Sequence, residues 1–483
     1  MTFLDARRQR ADLSYDIAIY GAGAAGITLA RTLAPLGVRI GLFEAGGFER
    51  PPVDADHSYH GNNTGLPYDL KATRLRYFGG TTNHWGGWCR PLDAYDFQAH
   101  DHVPLSGWPV SRDELNPYLA RALDVCEVAT GGLGLVAFDQ DFGFGELADH
   151  TPTELALKNF LFSPPTRFGV RYRDDIGTAE NVECQLNATL VRIEVAAGSV
   201  DRCVVATASG SRLRIAAECH VLALGALENA RLLLASNVAN NSGYVGRCFS
   251  DHLGKHIGWA LLDFNNRFHT HQAVHAGQHF RVLPHLSFRD DLIEDRKLVN
   301  FGLILNRLSG GSSGALGKAM ERQAQSLAGA EKSPFRVLLR MENTPNPASR
   351  VELTNERDPW GLPRVALNWQ LNRLDMACVE RLCETLGRAF GKMGGRLRVD
   401  ARSTAVTYTG AYQSHQLGTT RMSSDPGDGV VDPSLRCHEV ANLYLAGSSV
   451  FPTFGFANPT LTIIALTLRL AEHLRQRLGI TDA

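Results

Sequence analysis

The residues of this chain best suited to chemistry are an imidazole, an amide and a run of glycines. Ser414-His415-Gln-Leu-Gly418-Thr-Thr-Arg421-Met422 sets a histidine just before a turn, and Asn458-Pro459-Thr460 follows near the C-terminus. Histidine titrates close to neutral pH, so His415 suits proton transfer. Asn458 cannot take up a proton but can hold an oxygen by hydrogen bond. Read in isolation, His415 equally fits a structural histidine before a turn, and Asn458 a turn residue before Pro459. At the other end, Gly21-Ala-Gly23-Ala-Ala-Gly26 is G-x-G-x-x-G. Gly21 permits a tight turn, Gly23 lets backbone N–H groups approach a pyrophosphate, and Gly26 lets a helix pack close to a sheet.

These residues need elements to hold them. Asp16–Tyr20 reads as a short buried strand, Ile27–Leu36 as a helix stopped by Gly37, and Val38–Phe43 as a second strand ending in Glu44. That is one βαβ unit with a carboxylate roughly 20 residues after the glycines, the interval expected of a group that binds an adenosine ribose. A carboxylate there disfavours a 2′-phosphate, and hence NADP. Residues 45–180 are rich in Gly, Pro, Asn and aromatics, with few clean strands and a helix over Ser111–Val128, capped by Ser111 with Glu114 three residues on. Thr189–Val195 and Arg202–Ala208 read as a hairpin, and His220–Leu224 as a buried strand leading through Gly225 into a helix from Glu228 to Ala235. Between 255 and 400, strands (Val351-Glu-Leu, Arg364–Trp369) and a long helix over Leu374–Gly391 predict an antiparallel sheet with helices packed on it. Residues 309–332 are Gly, Ser and Ala rich and read as a mobile loop. Asn442–Ala446 is a strand closed by Gly447, and an amphipathic helix ends the chain. The nucleotide-domain pattern thus returns long after it begins. That fits an extended dinucleotide such as FAD better than a separable NAD domain.

The C-terminal motifs, with Val430-Val-Asp432, Gly447-Ser-Ser-Val-Phe-Pro452 and Gly455-Phe-Ala-Asn458-Pro459-Thr460, closely resemble the glucose–methanol–choline (GMC) family of flavoenzymes. The resemblance runs along nearly the whole chain through Gly21–Glu44, Gly79-Gly80-Thr81-Thr, Val221–Glu228 and Pro345–Leu353. It implies an α/β fold: a discontinuous Rossmann-type FAD-binding domain and a substrate-binding domain with a mainly antiparallel sheet and helices, as in p-hydroxybenzoate hydroxylase-like architectures. The implied FAD domain takes 1–90, 182–250 and 416–483. The substrate domain takes 91–181 and 251–415, with flavin-covering loops.

The resemblance also implies roles. His415 is the general base that takes the hydroxyl proton while the carbinol hydride goes to flavin N5, and Asn458 orients the alcohol oxygen. Gly79, Gly80 and Thr81 bring backbone to the flavin. His84, before Trp85, falls where choline oxidase and pyranose oxidase carry the histidine joined covalently to FAD, and the spacing looks most like pyranose oxidase and the flavin subunits of some sugar dehydrogenases. Gly86 departs from pyranose oxidase, which has a threonine there near N5, so stabilisation of an oxygen adduct by that hydroxyl does not carry over. Leu190 corresponds to a residue whose backbone meets the adenine. Gly447 and Ser448 lie along the ribityl chain and diphosphate, and Pro459 and Thr460 open the last helix toward the flavin pyrimidine ring. Gly225 is counted with the cofactor residues by position, although Gly225 and Glu228 fit strand–helix packing better than chemistry. The implied activity is oxidation of an alcohol, a sugar, glycoside or sugar-like secondary alcohol, to a carbonyl, with O2 or another acceptor taking the electrons. A non-redox lyase or decarboxylase, a flavin-bound protein without turnover and an NAD-only dehydrogenase are the competing readings.

Composition narrows the setting. Lys plus Arg is 49 against Asp plus Glu 50, which gives no charge-based reason for a nucleic acid or anionic membrane partner. Nine cysteines include no C-x-x-C pair and read as inert thiols in a reducing compartment. The charged N-terminus lacks an apolar signal core, and the apolar segment near Leu461–Leu474 is too polar to span a bilayer, so a cytoplasmic protein is expected. His57, His60, His100 and His102 show no metal-type spacing and read as surface or loop histidines.

Overall fold

The apolar run ending at Tyr20 becomes an eight-residue strand, Leu13–Tyr20, whose last four residues are buried on both faces, as a parallel sheet requires. The computed structural model describes residues 3–9, 12–52, 59–139, 154–207, 209–262, 270–275, 277–307, 322, 326, 333–399 and 414–480. Leu13–Tyr20 lies inside an eight-stranded sheet between Ile40–Glu44 and Arg212–Leu222. Val182–Leu186, Ile40–Glu44, Leu13–Tyr20 and Arg212–Leu222 run parallel in that order, with Leu443–Leu445 parallel to the end of Arg212–Leu222. The predicted hairpin, Thr189–Ala196 with Ser199–Ala206, extends the sheet antiparallel.

Arg212–Leu222 starts well before the His220 expected from sequence. Its first part pairs with Ser199–Ala206 and its last part with Leu443–Leu445, so partners distant in the chain set its length. The first helix, Ala24–Leu33, and the C-terminal helix, Thr460–Arg477, pack together below the sheet, and the latter also meets Arg112–Val125. That third helix carries the expected Ser111–Glu114 capping box and ends at Val125, because Glu127 turns into the left-handed region at φ +53°.

A second eight-stranded sheet is antiparallel, in the order Arg396–Val399, Leu253–Leu262, Ser333–Met341, Phe301–Arg307, Gln278–Phe288, Leu155–Phe162 and Trp88–Cys89, with His271–His275 beside Gln278–Phe288. Leu155–Phe162 corrects the loop-like reading of 45–180. Its alternation is hidden by Lys158 and Asn159, both buried; Lys158 reaches Asp93 at 2.6 Å and Asn300 at 3.3 Å. A small sheet pairs Arg350–Arg357 with Pro363–Asn368 and Gly61–Asn63. The long helix is Arg373–Lys392, close to the expected span. One apolar cluster runs through both large sheets. Among the described residues no helix is long and apolar enough to cross a membrane. All nine cysteines are buried and unpaired.

The 309–332 stretch lies outside the described residues except 322 and 326, as do residues 400–413 and His57. His100 and His102 sit on a loop, as expected. Their side chains are 9% and 7% exposed, and His100 Nδ1 lies 2.8 Å from the half-exposed Glu294.

Candidate active site

The carboxyl ends of Leu13–Tyr20, Ile40–Glu44, Arg212–Leu222 and Leu443–Leu445 open on one cavity of about 1050 Å³, at the top of the ~300–1,000 Å³ range of small-molecule sites. Ligands of open α/β sheets bind at this edge. Gly21, Gly23, Glu44, Gly80, Thr81, His84, Trp85, Leu190, Gly225, Gly447, Ser448, Pro459 and Thr460 line it, and so do His415 and Asn458. Gly26 and Gly79 do not; they work behind the wall. A Cβ at Gly26 would stand 1.8 Å from the Gly21 carbonyl oxygen, so only glycine lets the first helix seat against the turn. A Cβ at Gly79 would meet the Asn83 amide and the Gly169 N–H, so of the glycine pair Gly80 alone faces the cavity.

The donor set fits a dinucleotide. Gly23 caps the first helix with no side-chain bond, leaving the N-terminal N–H groups toward the cavity. Glu44 is buried, and its two oxygens accept the Ala22 and Gly46 N–H groups, each at 2.9 Å. Glu44 therefore clamps the glycine turn as well as lining the cavity. Glu228 is more than a packing residue: it lines the cavity, ion-pairs with buried Arg74 and meets Arg231 at 3.1 Å, and Arg231 in turn holds Asp358 at 2.8 Å. FAD would lie with its adenosine near Glu44 and Leu190 and its pyrophosphate on Gly21–Gly23. Its ring system would lie toward Trp85, His415, Asn458 and the start of the last helix.

At that far end His415 and Asn458 meet: Asn458 Nδ2 lies 3.3 Å from His415 Nε2. An amide N–H donates, so Nε2 is the bare nitrogen and the proton sits on Nδ1. Nδ1 then donates to His252 Nδ1, 2.9 Å away. His252 is fully buried, packed edge-on against His415 and Phe454 with ring centroids 4.9 Å apart in each case. Asp251, also buried, accepts the backbone N–H of His415 at 3.1 Å and of His252 at 2.7 Å, and the Tyr68 hydroxyl at 2.8 Å. Among the described residues, Asp251, His252 and His415 bring their ligand-type atoms within 4.8 Å of one another, and these hydrogen bonds account for that approach. Burial, then the nearby Arg340 charge, holds His415 well below its ordinary value of 6.5. Burial pushes Asp251 up to about 7. At neutral pH His415 is therefore an uncharged ring with its lone pair on the cavity side.

Asn458 is held by its loop. Glu342 accepts the N–H groups of Phe454 at 2.8 Å and Gly455 at 3.0 Å, and Thr453 donates to the Asp96 carbonyl at 2.8 Å. Among the described residues the Asn458 Oδ1 has no hydrogen-bond partner. His84 also lines the cavity and is exposed, with Nε2 2.7 Å from the Tyr77 hydroxyl. Trp85 donates to the Thr166 carbonyl at 2.8 Å, which fixes the indole.

Sequence reasoning did not find Asp251, His252, Arg340 or Glu342. Asp251-His252 precedes a strand in a plain loop, and no local spacing ties it to His415. Arg340 looks like an ordinary strand arginine, although its period-two neighbours Arg336 and Leu338 mark one face.

Comparison with known proteins adds the family. Residues 345–467 match the family model described as GMC oxidoreductase. The chain is 24% identical to the 6'''-hydroxyparomomycin C oxidase of Streptomyces lividus, over 98% of this chain and 93% of that one. It is likewise 24% identical to the fructose dehydrogenase large subunit of Gluconobacter japonicus, over 96% of this chain and 98% of that one. A solved formate oxidase of Aspergillus oryzae RIB40 superposes with a TM-score of 0.63 at 16% identity, over 98% of this chain and 100% of that one, which fixes the fold.

Proposed function

From the premise that the chain belongs to the GMC oxidoreductase family, we propose that it oxidises the CH–OH group of a sugar, glycoside or sugar-like secondary alcohol to a carbonyl, with FAD as acceptor. The observation that carries this reading is the His415–Asn458 pair, 3.3 Å apart in the same cavity that the glycine turn opens. FAD, when bound, supplies the hydride acceptor. The chain's own residues do the rest. The alcohol oxygen takes the place of the direct Asn458–His415 contact, accepting from Asn458 Nδ2 and donating its proton to His415 Nε2. His252 holds the tautomer that leaves Nε2 bare, and Asp251 fixes the His415 backbone by accepting its N–H. Trp88, Ile304 and Leu338 add apolar surface to the lining of the same cavity. A non-redox lyase of the same fold would have the same cavity, and reduction of the flavin by an alcohol separates the two.

His84 is the residue for a covalent link to FAD. Its Nε2 is engaged by Tyr77, and Nδ1 has no protein partner among the described residues. Nine buried free thiols support a cytoplasmic setting. The test is anaerobic mixing of the yellow protein with sugars, glycosides and simple alcohols, followed by admission of oxygen. Bleaching by an alcohol supports the reading, and recolouring in oxygen makes the enzyme an oxidase. A flavin that no alcohol bleaches refutes it.

A further inference from the structure

The small hairpin of Arg350–Arg357 and Pro363–Asn368 closes in a turn, Asp358-Pro-Trp360-Gly361-Leu362, and Asp358, Trp360 and Leu362 line the cavity. The turn is tied from within. Asp358 is buried, and its Oδ1 accepts the N–H groups of Trp360 at 2.8 Å and Leu362 at 3.0 Å. The Asp358 N–H donates to the Leu362 carbonyl at 2.9 Å, and Gly361 takes φ +88° as the chain reverses. The other carboxylate oxygen, Oδ2, accepts Arg231 Nη2 at 2.8 Å, and Arg231 Nε donates to the Pro363 carbonyl at 2.7 Å. Arg231 belongs to the helix Ala226–Ser236, which follows strand Arg212–Leu222 of the parallel sheet. A buried ion pair is a weak source of stability, but this one fixes where the turn stands.

What the turn carries to the cavity wall is an indole. Trp360 is half-buried, and the Arg76 guanidinium carbon lies 5.1 Å from the centre of its ring. Arg76 donates to the Thr189 hydroxyl at 2.7 Å, one residue before Leu190, and its charge acts on Glu44. Arg76, Leu190 and Glu44 line the cavity with Trp360. The indole thus stands at the Glu44–Leu190 end, where the adenosine of a dinucleotide would lie. Every nucleobase has a π-face, and an aromatic side chain or a guanidinium plane offers it a flat partner.

We propose that the Asp358–Leu362 turn is an adenine clasp: Trp360, braced by Arg76, takes the adenine of the bound dinucleotide, and the Asp358–Arg231 pair holds the indole in place for it. This rests on the FAD reading above and deepens it, because it gives the adenine end a binding residue far along the chain from the glycine turn and Glu44. Affinity for the cofactor is then shared between the parallel sheet and the small hairpin. The proton step at His415 is left as it was.

The experiment titrates the full-length chain, freed of flavin, with FAD, ADP and FMN, in a His84→Ala background so that the cofactor exchanges. Trp360→Ala should raise the Kd of FAD and of ADP by the same factor, roughly 10- to 100-fold, and leave FMN binding unchanged. Trp360→Phe keeps an aromatic face and should recover most of the affinity. ADP should also quench indole fluorescence, and the quench should be lost in Trp360→Phe; that variant reads the contact even where the alanine chain fails to fold. FAD and ADP bound by Trp360→Ala as tightly as before, or a quench that persists in Trp360→Phe, would overturn the inference and leave the oxidase reading standing. FAD weakened with ADP unaffected, or FMN weakened equally, would overturn it too, since the indole would then serve the flavin end or the fold at large. So would a chain that binds FAD but not ADP. A chain that takes up no FAD at all would sink both readings.

Discussion

At the scale of the residue, the site depends on which nitrogen of His415 is bare. Asn458 on one side and His252 on the other settle that, at 3.3 and 2.9 Å. Removing His252 frees the ring to take either tautomer and leaves a buried N–H without an acceptor, a cost of about 1–3 kcal/mol. His252→Ala should therefore slow flavin reduction roughly 10- to 100-fold. His252→Asn, whose carbonyl can accept the same proton, should restore part of the rate; an Ala variant as fast as the native enzyme would show that the contact is incidental. The pH dependence follows from the same burial. His415 is depressed well below 6.5, and in the proposed mechanism its neutral form is the active one. Activity is present above the depressed value and lost as pH falls through it. The reduction rate should thus pass pH 6.5 without the decline an ordinary histidine would give, and a midpoint at 6.5 would place His415 in an open, solvated setting.

At the scale of the element, the loop Thr453–Asn458 carries the amide and depends on one glycine. Gly455 sits at φ +53°, and a Cβ there would lie 2.5 Å from both Asp96 carboxylate oxygens. Gly455→Ala combines backbone strain with that clash, together about 1–3 kcal/mol. We expect a lower melting temperature and slower flavin reduction with FAD still bound; a variant matching the native enzyme in both would mean that the loop adapts freely.

The local devices of the sequence were readable where chemistry and spacing coincide. The glycine turn, the Ser111–Glu114 cap and the Asn442–Ala446 strand all lie close to where their residue types predict. What could not be read is what joins distant segments. His252 meets His415 across 163 positions, and Leu155–Phe162 hides its strand behind a buried lysine whose partners, Asp93 and Asn300, come from elsewhere. Periodicity records which face is apolar. It does not record which polar groups will neutralise one another inside.

At the scale of the whole molecule, the cavity is walled by both large sheets: glycine turns from the parallel one, Arg340 and Leu338 from the antiparallel one, and His415 and Asn458 between them. A dinucleotide filling it ties the two together. In a His84→Ala chain, where no covalent bond holds the cofactor, FAD at ~100 times its Kd should add about 2.7 kcal/mol of stability. Thermal unfolding with and without added FAD measures this, and an unmoved transition would mean that the cavity does not take it.

The account stands most directly on proton removal by His415. Single-turnover flavin reduction by one alcohol, compared between the native chain and His415→Ala with equal FAD content, tests it. A base of this kind contributes about 10²–10⁴-fold. We predict a loss in that range, with the flavin spectrum retained; reduction by the alanine variant at the native rate would contradict the mechanism.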